Sequence, residues 1–387
     1  MSASARETMR VLPGFLQPFL TWLTGMPFSD QQPLVHWTAG GRAIYAVATT
    51  SIGIGLGICI FNGPPVDLLC LPVSWLLTTS GMRDLYAVIE HYCIHNSFSS
   101  SRLANRIVGE LISTTLLAAP YDLFRHDHLT HHHTTRTDDD PDVRFLRTTG
   151  FRRGMTRAEF RRYILLTSLS PWFHLKYLAS RLKWNFTAPP YRVAITVLYL
   201  GGVAWSIAVT GGLVEWLVVF AFPAVIPFQV ASLINYHSEH RWLDHEPGLG
   251  RIHTARVCVG RFCGDPAPQI STSNVPSWLA AWGVWWTRVL FVHLPYRLFV
   301  LVGDQSQHDL HHRRPGSDWA NAAYARRDDI LKGCQGWPEG YSDVWGTMLD
   351  HLDACIEDPF ALSSGSHAGA MTIGAEQGAT IAGYRHC

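Results

Sequence analysis

Eight histidines fall into three clusters at helical spacing: His91 with His95, His128 with His131 and His132, and His308 with His311 and His312. On a helix, residues three and four apart share a face, so each cluster aims its imidazoles in a single direction. Neutral imidazole binds first-row transition metals well, and one ion rarely takes more than about six ligands, so eight such nitrogens imply two ions. Histidine supplies 20 of the 387 residues, enough for one His-x-x-His-His triplet to be surface decoration. Two triplets and a pair at matching spacing make a metal centre the better reading.

The flanks of each cluster say how it is carried. Following the face of His91 and His95 backwards reaches Ala87 and then Asp84, whose carboxylate could fix an imidazole tautomer or pair with Arg83. Cys93 lies on the opposite side of that helix. In the second cluster only His128, His131 and His132 fit positions i, i+3 and i+4, which turns His126 and His133 off the face. The acidic run Asp138, Asp139, Asp140 and Asp142 around Pro141 could orient bound imidazoles or form a solvated turn. Asp304, three residues before Gln307, gives a start signal for the third helix, Pro315 gives its stop, and Asp309 falls off the shared face. The eight cysteines form no Cys-x-x-Cys pair, so thiolate metal sites and a disulfide framework are not expected.

Only 16% of residues are charged against 47% hydrophobic, too apolar for an ordinary soluble chain of this length. Residues 43–66 carry no formal charge, and about 20 such residues cross a bilayer as a helix. The expected class is all-α and integral to a membrane, with four transmembrane helices at about 43–62, 68–89, 193–210 and 213–236 forming two hairpins under a cytoplasmic helical cap that carries the histidines. Pro223 and Pro227 should kink the fourth span. The turns at Asn62-Gly63-Pro64-Pro65 and Gly211-Gly212 lack Lys and Arg, whereas residues 83–192 hold sixteen, which puts the histidines and both termini on the cytoplasmic side. Residues 1–42 lack the pattern of a cleaved signal, and Phe15, Phe19, Trp22 and Phe28 suit an interfacial segment. Residues 43–361 form the membrane domain, and the small-residue stretch 362–387 is expected to be a disordered tail.

His91-Tyr-Cys-Ile-His95, His128-Leu-Thr-His131-His132 and His308-Asp-Leu-His311-His312 resemble the three histidine boxes of the membrane fatty acid desaturase superfamily, in order, spacing and placement around two membrane hairpins. The resemblance implies two iron ions with dioxygen as co-substrate and an integral multi-pass membrane location. It implies a further histidine ligand after the fourth span, where Asn235-Tyr236-His237-Ser238-Glu239-His240 offers His240 and, second to it, His237; His237 and Glu239 are otherwise supports around the ligands. About seventy residues separate His240 from His308, so residues 241–276 look inserted and receive no catalytic role. Just beyond it, Trp278, Trp282, Trp285 and Trp286 line one face of a helix expected to lie at the membrane interface and to reach Pro295.

Two irons held by imidazoles and given dioxygen and two electrons can remove hydrogen from an unactivated methylene, and loss of a second hydrogen from the neighbouring carbon gives an alkene. Similar boxes serve hydroxylases, ketolases and acetylenases, and substrate position decides among the outcomes. The expected substrate is a long acyl or alkyl chain, carried as acyl-CoA, on acyl-carrier protein or in a glycerolipid, and membrane lipids surround it. No nicotinamide, flavin or haem fingerprint is present, so a separate ferredoxin or cytochrome-type donor with its reductase is expected, and nucleic acid is not. Arg152, Arg153, Arg157, Arg161 and Arg162 could dock such a partner or hold lipid headgroups. A membrane zinc hydrolase needs about three protein ligands and would leave most histidines idle. A metal transporter would carry its ligands inside the spans instead of beyond them.

Overall fold

The computed structural model describes residues 5–242, 257–269, 275–337 and 340–356. The C-terminal stretch and most of the 241–276 insertion, His253 included, lie outside the described residues. The chain is mostly helical, and three helices are long and apolar enough to cross a membrane: Ala39–Phe61, Pro190–Thr210 and Leu213–Ser238. Ile44, Val47 and Ile52 on the first and Leu198, Trp205 and Val209 on the second are exposed, as a lipid-facing surface requires.

The segment expected as a second span is built differently. A short 3₁₀ turn, Pro65–Cys70, leads into helix Leu71–Asp84, a π-helical turn Leu85–Glu90 and helix His91–Ile94. The path continues past residue 89 and carries His91 and His95 on the same rod. It buries Arg83, Asp84 and Glu90, which keeps it from reading as a plain apolar span.

Close contact between the first two rods comes from small residues. Ser74 Oγ donates to Gly53 O at 2.8 Å, and a Cβ at Gly53 would collide with the Thr78 backbone. A Cβ at Gly81 would collide with Thr50 in the same way. In lipid, where apolar surfaces gain nothing by leaving water, this backbone-to-backbone packing is what pairs helices.

The two prolines of the fourth expected span are accommodated by borrowed donors. Leu217–Ala221 winds as a π-turn, in whose register the ring of Pro223 leaves Val218 O without a backbone donor, and Trp75 Nε1 supplies one at 2.8 Å. Pro227 likewise orphans Pro223 O, which accepts from Thr79 Oγ1 at 3.3 Å. Both donors sit on helix Leu71–Asp84, so the proline sites also dock one rod on the other.

Three expectations are corrected. The fold is not purely helical: β1 (Gly260–Cys263), inside the insertion, pairs in parallel with β2 (Asp343–Gly346). The N-terminal aromatics do not all line an interface. Phe28 is buried between Arg6 and Arg10, whose guanidinium carbons lie 3.8 and 4.0 Å from the ring centroid. Phe19 and Trp22 pack with Trp282, Trp285 and Trp286. The tryptophan helix Val275–Arg288 is therefore partly covered, and the helical path runs on through Val289–His293 and past Pro295 to Phe299. Asp265 clamps it, accepting from Arg288 Nε at 2.6 Å and His293 Nε2 at 2.8 Å.

Replacing Gly53 or Gly81 with leucine should sharply reduce the yield of monodisperse, detergent-solubilised protein, since overpacking costs about 1–3 kcal/mol or more. Gly201→Leu, on a site open on all sides, should leave the size-exclusion profile unchanged.

Candidate metal centre

Box one is delivered by helix His91–Ile94, with His95 as its C-terminal cap residue, and box two by helix Tyr121–Thr134. Box three is carried by the six-residue helix His308–Arg313. The expected start signal at Asp304 is not a side-chain cap. Gln305–Gln307 forms a 3₁₀ turn instead, and the Asp304 carboxylate accepts from the Tyr92 hydroxyl. Pro315 does lie just beyond the end of this helix. Tyr121 OH donates to Cys93 O at 3.0 Å, tying the second box helix to the first.

All nine histidines singled out from the sequence converge, in two groups. His91, His95, His128, His132 and His311 form one, and His131, His240, His308 and His312 the other. A box does not serve one direction only, as a single shared face would have it. The i, i+4 pair His128 and His132 faces the first group while His131 turns to the second; the pair His308 and His312 faces the second while His311 turns to the first. Residues at i+3 and i+4 differ by roughly 100° around a helix, which is enough to split adjacent imidazoles between neighbouring sites.

The spacing fits ions better than hydrogen bonds. His128 Nε2 lies 2.8 Å from His91 Nε2, 2.9 Å from His132 Nε2 and 3.4 Å from His311 Nε2. One ring nitrogen holds one proton or one lone pair, so it cannot satisfy three such neighbours. In the second group His131 and His308 approach His240 Nε2 at 3.0 and 3.3 Å, and His312 approaches His308 at 2.9 Å. Metal–nitrogen bonds of about 2.1 Å separate adjacent ligands by about 3.0 Å at right angles and 3.4 Å in a tetrahedron. His95 Nε2 is buried with no hydrogen-bond partner, a further donor lone pair aimed inward.

Burial pushes His128, His132, His240, His308, His311 and His312 well below the ordinary imidazole range, which holds them in the neutral form that binds metals. His131 moves the other way. Burial lowers its affinity for a proton, but Asp142 and Asp140 outweigh that and hold it above the usual range. Its Nδ1 donates to Asp140 Oδ1 at 2.9 Å, with Asp142 Oδ2 at 3.2 Å, which turns Nε2 to the other histidines of its group, an arrangement that strengthens an imidazole as a metal ligand. Asp140 is itself held by the backbone N–H groups of Arg136 (2.7 Å) and Asp142 (2.9 Å).

The supports named from the sequence fare unequally. Glu239 Oε2 lies 3.9 Å from His308 Nε2 and accepts from Asn235 at 2.8 Å. His237 belongs to neither group; its Nδ1 donates to Leu233 O at 2.8 Å, and its ring packs on Phe151, Phe160 and Tyr163. Asp84 makes no hydrogen bond to a described histidine, and its Oδ1 is buried without a partner beside Gly303. His126 and His133 are exposed.

Two supports escaped the sequence. Cys258, in the insertion, pairs with His240 in an isolated antiparallel bridge and places Sγ 3.3 Å from His240 Nδ1. Arg326 grips Asp309 through Nε (3.0 Å) and Nη2 (2.7 Å), holding the third box helix from behind, and reaches Asp343 on β2. No local spacing signals either. Of the basic run, Arg161 pairs with Asp353 and Arg153 donates to Arg136 O, so these two are used within the fold.

A cavity of about 870 Å³ reaches both groups, touching His91 and His128 of the first and His131 and His308 of the second. Tyr86, Phe124, Phe145, Tyr177 and Tyr236 line much of the rest.

The family model described as fatty acid desaturase matches residues 68–336. A bifunctional fatty acid conjugase/Delta(12)-oleate desaturase from Punica granatum is 37% identical over 81 residues, covering 20% of each chain. A chloroplastic omega-6 fatty acid desaturase from Arabidopsis thaliana is 26% identical over 160 residues, 40% of this chain and 33% of that one. An sn-1 acyl-lipid omega-3 desaturase (ferredoxin) from a Nostoc strain is 35% identical over 74 residues, 19% of this chain and 20% of the other. The matches thus span between a fifth and a third of these relatives' lengths.

Asp140→Asn should weaken metal binding at the four-histidine group by about 10–100-fold, measured by chelator competition and elemental analysis, while the five-histidine group keeps its ion. His126→Ala and His133→Ala should leave both intact.

Proposed function

This chain belongs to the fatty acid desaturase family, and from that premise we propose that it is a membrane-bound di-iron oxidoreductase that introduces a double bond into a long acyl or alkyl chain. The observation that carries the reading is the convergence of nine imidazoles in groups of five and four at ligand-to-ligand spacing. A hydrolytic zinc site, with about three protein ligands, would leave most of them unused.

On this reading His91, His95, His128, His132 and His311 hold one iron, and His131, His240, His308 and His312 the other. The irons, given dioxygen and two electrons, supply the oxidising power to take hydrogen from an unactivated methylene. The chain's own residues do the rest. Asp140 sets the tautomer of His131, Arg326 braces the third box helix through Asp309, and Cys258 faces the rear nitrogen of His240. The aromatic wall of the cavity holds the substrate beside the ligands and excludes water, and the position it imposes selects alkene over alcohol.

The rod spanning 71–94 serves as a fourth membrane crossing, giving two hairpins with the histidine cap and both termini on the cytoplasmic face, in keeping with the sixteen Lys and Arg between 83 and 192. Electrons come from a separate ferredoxin or cytochrome-type carrier; the Nostoc relative's name specifies ferredoxin.

Purified protein should contain about two irons per chain. Expression in a lipid-producing host should yield a product lighter than its saturated precursor by two hydrogens, and His312→Ala should abolish it without loss of membrane insertion. One zinc and no iron, or a product that gains oxygen, would overturn the assignment.

A further inference from the structure

Helix Pro171–Thr187 stands just before the long apolar helix Pro190–Thr210 and is tied at its two ends to two different long apolar helices. Near its start, His174 Nδ1 lies 2.8 Å from Gln229 Oε1 on helix Phe222–Ser238, and His174 Nε2 donates to Ser168 O at 2.9 Å. Near its end, the buried Asn185 Oδ1 accepts from Thr196 Oγ1 at 3.3 Å and from Arg192 Nε at 3.0 Å, both on helix Pro190–Thr210.

These ties fix a depth. Gln229 is sixteen residues past Leu213 and Thr196 fourteen before Thr210, on the two sides of the Gly211-Gly212 turn. At 1.5 Å of rise per residue they lie about 24 and 21 Å from that turn. Val209, Leu213 and Val214 are exposed beside the turn, so a hydrocarbon core of about 30 Å that starts there contains both ends of the helix. Tilting the long helices shortens both depths and moves the helix further in.

The sides of the helix suit that place. Phe173, Tyr177 and Trp184 turn to the cavity, whereas Leu175 and Phe186, 59% and 46% exposed, lie outside its lining. Leu169 and Trp172, at the corner with the preceding helix, are 68% and 64% exposed. Apolar surface gathered in this way marks a partner. Residues 157–187 hold six Lys and Arg against one acid, Glu159, and the exposed Lys176 and Lys183 stand seven apart on one face, where long stems can carry ammonium groups to phosphates.

We infer that helix Pro171–Thr187 is an in-plane membrane element, whose partner is the acyl chains and headgroup phosphates of the leaflet on the histidine side. The inference rests on the proposed reading only in taking Pro190–Thr210 and Leu213–Ser238 as membrane crossings. A single helix then separates the cavity from lipid, with Tyr177 toward one and Leu175 toward the other.

Spin-label accessibility tests it. Leu175→Cys, Phe186→Cys, Leu198→Cys and Lys332→Cys are made one at a time in the whole chain with Cys59, Cys70 and Cys387 replaced by serine, then labelled and reconstituted in lipid nanodiscs. Leu198, exposed on a crossing, is the lipid reference, and the exposed Lys332 is the aqueous one. Labels at 175 and 186 should relax with dissolved oxygen and lose the relaxation by an aqueous nickel chelate, as at 198, while 332 responds to the chelate. Chelate relaxation at 175 and 186 equal to that at 332, with 198 still shielded, would overturn the inference and leave the crossings standing. Chelate relaxation at 198 as well would overturn the crossings and the inference together. Each label replaces an exposed side chain, so the two helix positions serve as independent reporters.

Discussion

Nine imidazole nitrogens driven together out of water are the constraint on which this structure turns. Burial holds most of these rings neutral, so their lone pairs face one another at distances where each would repel the next. On the proposed reading a cation in each group would convert that repulsion into ligation, and metal affinity would become part of the folding free energy of the helices that carry the histidines. Helices far apart in the chain, each carrying or ending close to His95, His132, His240 or His312, would share that gain only when they meet.

The scaffold around the histidines is arranged to make them meet in one way. Small residues bring the first two rods into backbone contact, and Trp75 and Thr79 use the proline-freed carbonyls of the partner helix as docking points. Behind the histidines, Asp140 is pinned by two backbone N–H groups and accepts the Nδ1–H of His131. The buried pair Arg326–Asp309 holds a helix of only six residues, too short to keep its own geometry. Breaking such a pair by removing one partner strands a charge, so each support is coupled to the site it braces.

The candidate ligands were legible in the sequence because helix periodicity is a local property: His128, His131 and His132 announce themselves within five residues. Their division between two groups was not, since i, i+3 and i+4 histidines count as one face until a second helix arrives from the far side. The resemblance asked for one further histidine and the preceding glutamate favoured His240 over His237; in the structure His240 stands in the four-histidine group, while His237 spends its Nδ1 on the preceding turn and its ring on three aromatics. Asp140 stood in a run of four acids, two of them exposed, and only tertiary contact distinguishes it. Cys258 acts across 18 residues through an isolated bridge to His240, and Arg326 across 17 through side-chain bonds to Asp309, and apolar periodicity carries no trace of either contact. The polar lapse Arg83-Asp84 in the second apolar stretch read as an interruption of a span; in the fold both residues are buried, one at the cavity wall and one beside Gly303.

The most direct test of the account is X-ray absorption at the iron edge of the purified, loaded protein. Groups of five and four imidazoles require an average of between four and five histidine nitrogens per ion at about 2.1 Å, with the outer-shell scattering of imidazole rings and no sulfur. A first shell dominated by carboxylate oxygen, a sulfur ligand, or fewer than three nitrogens per ion would contradict it.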